Sequence, residues 1–392
     1  MDYLGNYTLD IKFGGILVPV LPQMIEELTI TQDIDRIVPT FKMRLKDSTG
    51  LLGEIIPFDR SSNSVYIRIA RSQDLNNLNE FEFVVERRKP TSDKDYEITG
   101  ILNVDGLFTP FRSRALTGNI KGSLEDIAHT ELNVSDTEVS ASLSYEKTLL
   151  QPDWTNAAFF RYLKYNLIGK NNEACYYCII KNIRSIKVLT FASIEDLFSA
   201  PLKYSFIIGH EPFENFYPVS EYRVYDNSPI ITDFAARSQK YGYFDYASGR
   251  VIGAAISISD CPSLAESFLV DKDNNVDSVN LRRLGRNNDF TSNFKGKMRN
   301  DYFDRLTNLI HMWISTWGME NISPGDIVKI VFSEALSRGS LFIYQHSGYW
   351  MVKRVVHILG SSFMTNLLLT RCGVDTDMET TLMEATKVRR ND

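Results

Sequence analysis

Cysteine is scarce, and its positions exclude a disulfide framework. The chain of 392 residues has four cysteines, Cys175, Cys178, Cys261 and Cys372. Small disulfide-stapled domains carry more cysteines at closer spacing. The sequence therefore predicts folding in a reducing cytosol, without structural disulfides.

Long apolar runs, a targeting segment and an excess of positive charge are also missing. No apolar stretch approaches the ~18 residues that a membrane-spanning helix needs, and the N-terminus lacks the basic and apolar segments of a signal peptide. The chain has 43 Lys and Arg against 49 Asp and Glu, which gives a net charge of -6. Tight binding of nucleic acid needs clustered cations. We therefore expect that the chain neither inserts into a membrane nor binds DNA tightly.

Metal-binding patterns are incomplete. Cys175 and Cys178 form a C-x-x-C pair, but a zinc site needs a second pair of ligands, and no two of the five histidines stand at ligand spacing. The segment 271–277, DKDNNVD, resembles a calcium loop, yet Val276 and Arg282 occupy the places of its required glycine and glutamate. We interpret the cysteines as structural and the segment as a solvated loop.

Catalytic motifs are lacking too. No nucleophile elbow, zinc-protease motif or P-loop occurs. His357, with Lys353 and Arg354 nearby, has no orienting carboxylate or nucleophile beside it in the sequence. Carboxylates from distant positions can still form a glycosidase, so an enzyme stays open as an alternative. We predict no catalytic, cofactor-binding or metal-binding residue, and no cofactor.

Aromatic residues, by contrast, are abundant, at 12% of the chain. They favour pleated surfaces and large interfaces. In residues 1–110, apolar residues alternate over 37–45 and 64–70, and the segments 80–90 and 96–105 flank a polar turn. Antiparallel strands of this kind predict a first β-barrel or sandwich.

Residues 111–204 predict a small α+β domain. Helices are expected over 123–132, with Ser123 as N-cap, and over 152–170, where Gly169 ends the helix.

A strand, turn and strand follow over 175–191, and Ser193 begins another short helix. The segment 259–305 is expected to complete this domain, and its polar part, 267–300, to be extended and exposed.

A second β region is predicted from 205–258 and 306–373. Between its parts a helix is expected over 301–318, because five apolar residues share a helical face and Gly318 follows them. These five are Leu306, Leu309, Ile310, Trp313 and Trp317. The tail, 374–392, is polar and is expected to be loosely ordered.

The second region ends on a hairpin that is apolar on both faces. A turn at Pro324-Gly325 leads into a strand, and two further strands, within 347–373, fold about Gly360–Ser362. We expect one face of this hairpin in a barrel core and the other against neighbouring subunits. Trp350 is predicted to be largely buried there.

The order of these pieces resembles the baseplate hub proteins of contractile-tailed bacteriophages, and the hub part of type VI secretion spikes. The resemblance covers residues 1–373 and includes S-P-G-D (323–326), G-Y-W-M-V-K-R-V-V-H (348–357) and L-L-L-T-R (367–371). It implies a fold that is mainly β with α+β insertions, with two tail-tube-like β-barrel domains and a small α+β domain.

The resemblance also implies a structural role without enzymatic activity. Three copies would present six barrels to a six-fold tail tube above and a three-fold face to the spike below. The implied partners are two further copies of the chain, the tail tube protein, the central spike protein and other baseplate proteins. Viral DNA would pass through transiently, without specific binding. The expected location is the tail baseplate of the virion, assembled in the host cytoplasm.

Two alternatives stay open at this point: a tail-associated cell-wall hydrolase or glycan-binding module, and the hub part of a type VI spike. No spike barrel follows the hub-like part, so we expect the spike to be a separate polypeptide. A channel through a trimer is expected to have an acidic or neutral wall, because inward cations would hold DNA. Candidate wall residues are Glu80, Glu82, Glu97 and Asp105.

Overall fold

A computed structural model gives the fold of the chain. It describes residues 7–13, 24–47, 64–71, 79–91, 95–170, 173–209, 215–226, 239–245, 249–256, 278–281, 300, 302–304, 307–308, 310–333, 346–360 and 362–371. The calcium-like segment at 271–277, the tail at 374–392 and most of the polar segment at 267–300 lie outside these residues.

The N-terminal β region forms six antiparallel strands in the spatial order β1-β4-β5-β6-β3-β2. They are β1 (Tyr7–Phe13), β2 (Ile25–Asp33), β3 (Thr40–Lys46), β4 (Ser64–Arg71), β5 (Asn79–Pro90) and β6 (Asp95–Leu102). As the alternation predicts, Phe41, Met43 and Leu45 of β3 are buried on one face, with Val65 and Ile67 of β4. The predicted β character of this region is confirmed.

The α+β part follows. Its helices are α1 (Ile120–Thr130), α2 (Asn156–Asn166) and α3 (Ile194–Phe198). Its strands are β7 (Arg112–Leu116), β8 (Asp136–Val139), β9 (Leu149–Trp154), β10 (Tyr176–Ile183) and β11 (Ile186–Ser193). β7 pairs with β9, and β10, β11 and β8 form a separate sheet. The tight turn between β10 and β11 places Arg184 and Ser185 at φ 49° and 66°, which matches the twist of a two-residue hairpin.

Two predicted caps are wrong and one is right. Asn119, not Ser123, caps α1, because its side chain accepts a hydrogen bond from the Gly122 N–H, and Ser123 already donates to the Asn119 carbonyl within the first turn. α2 ends at Asn166, before Gly169.

Gly169 lies where little space is left for a side chain. A Cβ at this position would lie 2.5 Å from the Tyr176 hydroxyl oxygen. At α3, Ser193 caps the helix as the sequence predicts, and it forms a capping box with Asp196.

The C-terminal β region contains a closed barrel of six strands. The strands are β12 (Leu202–Ile208), β13 (Tyr217–Asp226), β17 (Ile310–Trp317), β18 (Ile327–Phe332), β19 (Gly348–Leu359) and β20 (Phe363–Arg371). Their order is β19-β18-β12-β13-β17-β20, and β20 pairs back onto β19 to close the ring. The predicted hairpin of β19 and β20 is confirmed. It supplies both strands of the closing pair.

Three further strands form a separate sheet in the order β15-β14-β16. They are β14 (Gln239–Asp245), β15 (Arg250–Ile256) and β16 (Ser278–Leu281). The sequence assigns the first two to the second barrel, but the described pairings do not include them in its ring. The domain limits at 110, 204, 258 and 305 stay a prediction.

The helix predicted over 301–318 is wrong. Helical turns occur at 302–304, but residues 310–317 form strand β17, with Ile310, Met312 and Ile314 buried on one side. Alternating apolar residues with aromatic residues between them satisfy both a helical and a strand period. Hydrogen bonding to β13 on one side and to β20 on the other stabilises the strand conformation.

One strand pair joins the two β regions. β19 of the barrel pairs antiparallel with β2, which makes a continuous sheet of twelve strands. Two hydrophobic cores lie on its inner side, one under each region. Cys178 belongs to the first core and Cys175 to the second. Both are buried, and neither forms a disulfide.

Candidate assembly surface

The twelve-stranded sheet has an outer face that points away from both cores. Side chains on this face alternate with buried ones and are half-buried or exposed, as the patterns of β3, β17 and β20 show. Residues directly opposite each other on paired strands point to the same side. The outer face therefore carries rows of neighbouring side chains that continue from one β region into the other.

Over β2, β3 and β6 these rows form a charged ladder, defined by Glu27, Lys42, Arg44 and Glu97. Lys42 Nζ lies 3.1 Å from Glu97 Oε2, and Arg44 Nε lies 3.6 Å from the same oxygen. Arg44 also approaches Glu27, at 3.9 Å. The hydrogen bond from Lys42 holds the pKa of Glu97 below its usual value. Cations and carboxylates alternate, so this part of the face is close to neutral.

The residues proposed for an acidic wall lie in and beside this ladder. Glu80 forms an ion pair with Arg68, with 2.9 Å between Oε2 and Nη2. Glu82 accepts hydrogen bonds from the Tyr66 hydroxyl and the Asn103 amide.

Glu97 holds the two cations described above, and Asp105 is exposed in the turn after β6. Three of the four predicted acids are thus engaged by polar or cationic neighbours.

Over β17, β20 and β19 the outer face becomes mainly apolar, although the paired Ser315 and Asn366 also lie on it. This apolar lane comprises Trp313, Trp317, Val356, Ile358, Met364 and Leu368, all half-buried. Register places Trp313 beside Leu368, and Met364 beside both Trp317 and Ile358. The sequence predicts both tryptophans on the buried face of a helix. The alternation of buried residues over 310–317 is the sequence signal that indicates their place on a strand.

Where the two β regions meet, five charged side chains form ion pairs, and one of the five is on a helix of the α+β part. Arg354 of β19 donates to Asp33 of β2 at 2.6 Å. Asp35, just beyond β2, lies 3.2 Å from Lys353 Nζ and 3.6 Å from Lys164 Nζ on α2. Burial raises the pKa of Asp35, but the two lysines outweigh burial and leave the pKa below its usual value. No local pattern in the sequence predicts these pairs.

The α+β part also exposes large apolar side chains. Phe111 and Leu150 are 65% and 66% exposed, and Phe108, Tyr162 and Tyr165 are also exposed.

The residues weighed as catalytic or metal-binding are buried or apart. His357 is 2% exposed, and its Nδ1 lies 3.2 Å from the Thr365 hydroxyl oxygen. Trp350 is fully buried, as predicted, and donates from Nε1 to the His346 carbonyl at 3.1 Å. The described part of the chain holds no cluster of three metal-ligating side chains. Within the same residues, no helix is long and apolar enough to cross a membrane.

This architecture is that of bacteriophage tail proteins and of proteins related to type VI secretion spikes. No protein-family model matches the sequence, and no curated protein matches it significantly. Among solved structures, 34 chains match significantly.

Three structures show the range of the likeness. The 43 kDa tail protein of prophage MuSo2 from Shewanella oneidensis has 11% identity and a TM-score of 0.59, over 94% of this chain and 100% of its own. A tail protein from Neisseria meningitidis MC58 has 9% identity and a TM-score of 0.57, over 93% and 97%. The E. coli protein c3393, described as a type VI secretion component similar to T4 tail proteins gp27 and gp5, has 8% identity and a TM-score of 0.51, over 92% and 76%. The predicted resemblance is confirmed at the level of the fold.

Proposed function

We propose that this chain is a structural baseplate hub of a phage tail, without enzymatic activity. Three copies form a ring that matches a six-fold tail tube on one side and a three-fold central spike on the other. The observation that carries the proposal is the pairing of β2 with β19, which joins two six-stranded units edge to edge in one chain. Three such chains present six units, and a trimer can therefore meet both symmetries.

The apolar surfaces favour assembly over catalysis. The apolar lane on β17, β20 and β19, and the exposed Phe111 and Leu150, offer contact area for partner subunits. Stable obligate interfaces bury more than ~2,000 Å² and are apolar at their centre. We assign these surfaces to contacts within the trimer or with the tube and spike proteins.

The charged ladder supports a channel that does not retain DNA. Each of its cations faces a carboxylate within 4 Å. Cations that are already paired release few counterions from DNA and add little affinity. We propose that the ladder forms a charge-balanced part of a channel wall in the virion baseplate, and that the wall as a whole carries more acidic than basic residues.

Native mass spectrometry tests the trimer directly. A protomer of 44.8 kDa predicts a particle of about 134 kDa, three times that mass. A monomer that persists at micromolar concentration, alone and with tube and spike proteins, contradicts the proposal.

The channel has a separate test, because duplex DNA is expected to show no retention on the purified trimer at low salt. Retention that falls steeply with salt, or a channel lined mainly by Lys and Arg in a structure of the assembly, contradicts that part.

A hub within a type VI secretion spike is the second candidate. The likeness to c3393, and to the Francisella PdpA–VgrG complex with a TM-score of 0.52, favours it. This chain covers 76% and 58% of those two chains. Co-purification from phage particles, or from secretion-competent bacteria without phage, distinguishes the two.

A further inference from the structure

Polar side chains interrupt the inner face of the sheet where the two β regions join. Gln32 of β2, His357 of β19 and Thr365 of β20 are 0%, 2% and 0% exposed. Register pairs His357 with Ile30 and Gln32 with Val355, so Gln32 and His357 are diagonal neighbours on one face. Diagonal neighbours on antiparallel strands lie ~7–8 Å apart.

Hydrogen bonding inside this polar seam, defined as Gln32, His357 and Thr365, is incomplete. The Thr365 hydroxyl accepts from the Met319 backbone N–H at 2.9 Å and can donate its proton to His357 Nδ1, 3.2 Å away. That arrangement leaves the ring proton of His357 on Nε2. In the described part of the chain, His357 Nε2 and both polar atoms of the Gln32 amide have no hydrogen-bond partner. Buried polar atoms in folded proteins are nearly always hydrogen-bonded, to protein or to ordered water.

We propose that the polar seam is a binding site for one or two water molecules that bridge His357 Nε2 to the Gln32 amide. Water both donates and accepts, and a buried water has two to four polar partners. Gln32 and His357 are diagonal neighbours on one face, yet their polar atoms form no direct hydrogen bond with each other. A metal ion does not fit, because the seam has one imidazole and no carboxylate or thiolate. An anionic ligand does not fit either, since burial lowers the pKa of His357 to about 4 and leaves the imidazole uncharged at neutral pH.

The polar seam lies between the two hydrophobic cores, where a water bridge can fix the register of β2 on β19. Leu359 and Phe363 lie in the first hydrophobic core, and Val355 and Leu367 lie in the second, on either side of His357. A slip of β2 by one residue along β19 would turn Gln32 to the outer face and break the bridge. The bound water therefore helps to fix the register of the only strand pair, among the described strands, that connects the two β regions.

X-ray hydroxyl-radical footprinting of the full-length protein tests the proposal. Radicals formed from a bound water oxidise adjacent side chains that bulk solvent cannot reach. His357 is expected to be oxidised faster than Trp350, which is equally buried and intrinsically more reactive. Gln32→Met is expected to abolish this labelling, whereas Thr31→Val, on the same strand but on the outer face, is expected to preserve it.

Protection of His357 equal to that of Trp350, or undiminished labelling in Gln32→Met, overturns the proposal. If Gln32→Met does not fold, a high-resolution crystal structure of the wild-type protein decides. Density for water within hydrogen-bond distance of His357 Nε2 supports the site. A direct bond between His357 and Gln32, or a dry seam, rejects it.

Discussion

Truncation of Trp350 measures how much packing in the barrel core contributes to the free energy of unfolding. The side chain is fully buried, its indole N–H donates to the His346 carbonyl, and the guanidinium of Arg371 lies 5.6 Å from its ring centre. Replacement of a buried Trp by Ala removes these contacts and leaves a cavity, which costs about 3–5 kcal/mol. We expect Trp350→Ala to lower the free energy of unfolding by that amount.

Urea unfolding followed by far-ultraviolet circular dichroism is the suitable assay, since the chain has 4 Trp and fluorescence would mix their signals. Tyr349→Ala is the matched control, because Tyr349 is the preceding residue on β19 and is 58% exposed. Surface substitutions usually change stability by about 0.5 kcal/mol or less. A loss below about 1 kcal/mol for Trp350→Ala, or losses of equal size for the two variants, would refute the placement of Trp350 in the core.

Three further predictions follow from packing, proton binding and the absent metal motifs. Gly318→Ala is expected to destabilise the chain in thermal melts, because its Cβ would lie 2.1 Å from the Phe363 ring, whereas Gly122→Ala on α1, with nothing within 4 Å, is expected to stabilise it by about 0.5–1 kcal/mol. Burial lowers the pKa of His357 from 6.5 to about 4, so the unfolded chain binds this proton first and stability is expected to fall by about 3 kcal/mol between pH 6.5 and 4. Urea titrations check this: between pH 6.5 and 4 the free energy of unfolding of the wild-type protein should fall more than that of His357→Leu. Identical pH profiles for the two proteins contradict the prediction. A chelator is expected to leave the melting temperature unchanged, and a drop of many degrees would reveal a metal site.

Local patterns predict those elements whose neighbours along the chain decide their structure. The alternation in β3 and β4, the Ser193–Asp196 capping box and the turn at Gly325, with φ 91°, all follow from such patterns. In each case the residues that fix the backbone lie within a few positions of one another. The fold class and the order of elements up to β12 could therefore be predicted.

Strand β17 shows where local patterns fail. Trp313 and Trp317 stand four residues apart and suggest a helical stripe, but Ile310, Met312 and Ile314 also alternate. The two periods are equally compatible with the sequence, and the choice depends on β13 and β20. A helix at this place has no outer strand face, so the sequence does not predict the apolar lane.

The ion pairs at the joint could not be predicted for a different reason. Asp33 and Arg354 are 321 residues apart, and each resembles an ordinary exposed charge in its own segment. Only the pairing of β2 with β19 brings them together. The same holds for the contact of Asp35 with Lys164 and Lys353.

The pairing of β2 with β19 has a consequence during protein synthesis. β2 leaves the ribosome more than three hundred residues before its partner strand β19. At ~5–20 residues per second, the edge of β2 stays without this partner for on the order of tens of seconds. An open strand edge can pair with other nascent chains. Neighbouring ribosomes on one message thus carry chains at risk of mutual misassembly, and slower translation or crowded polysomes are expected to raise the yield of aggregates.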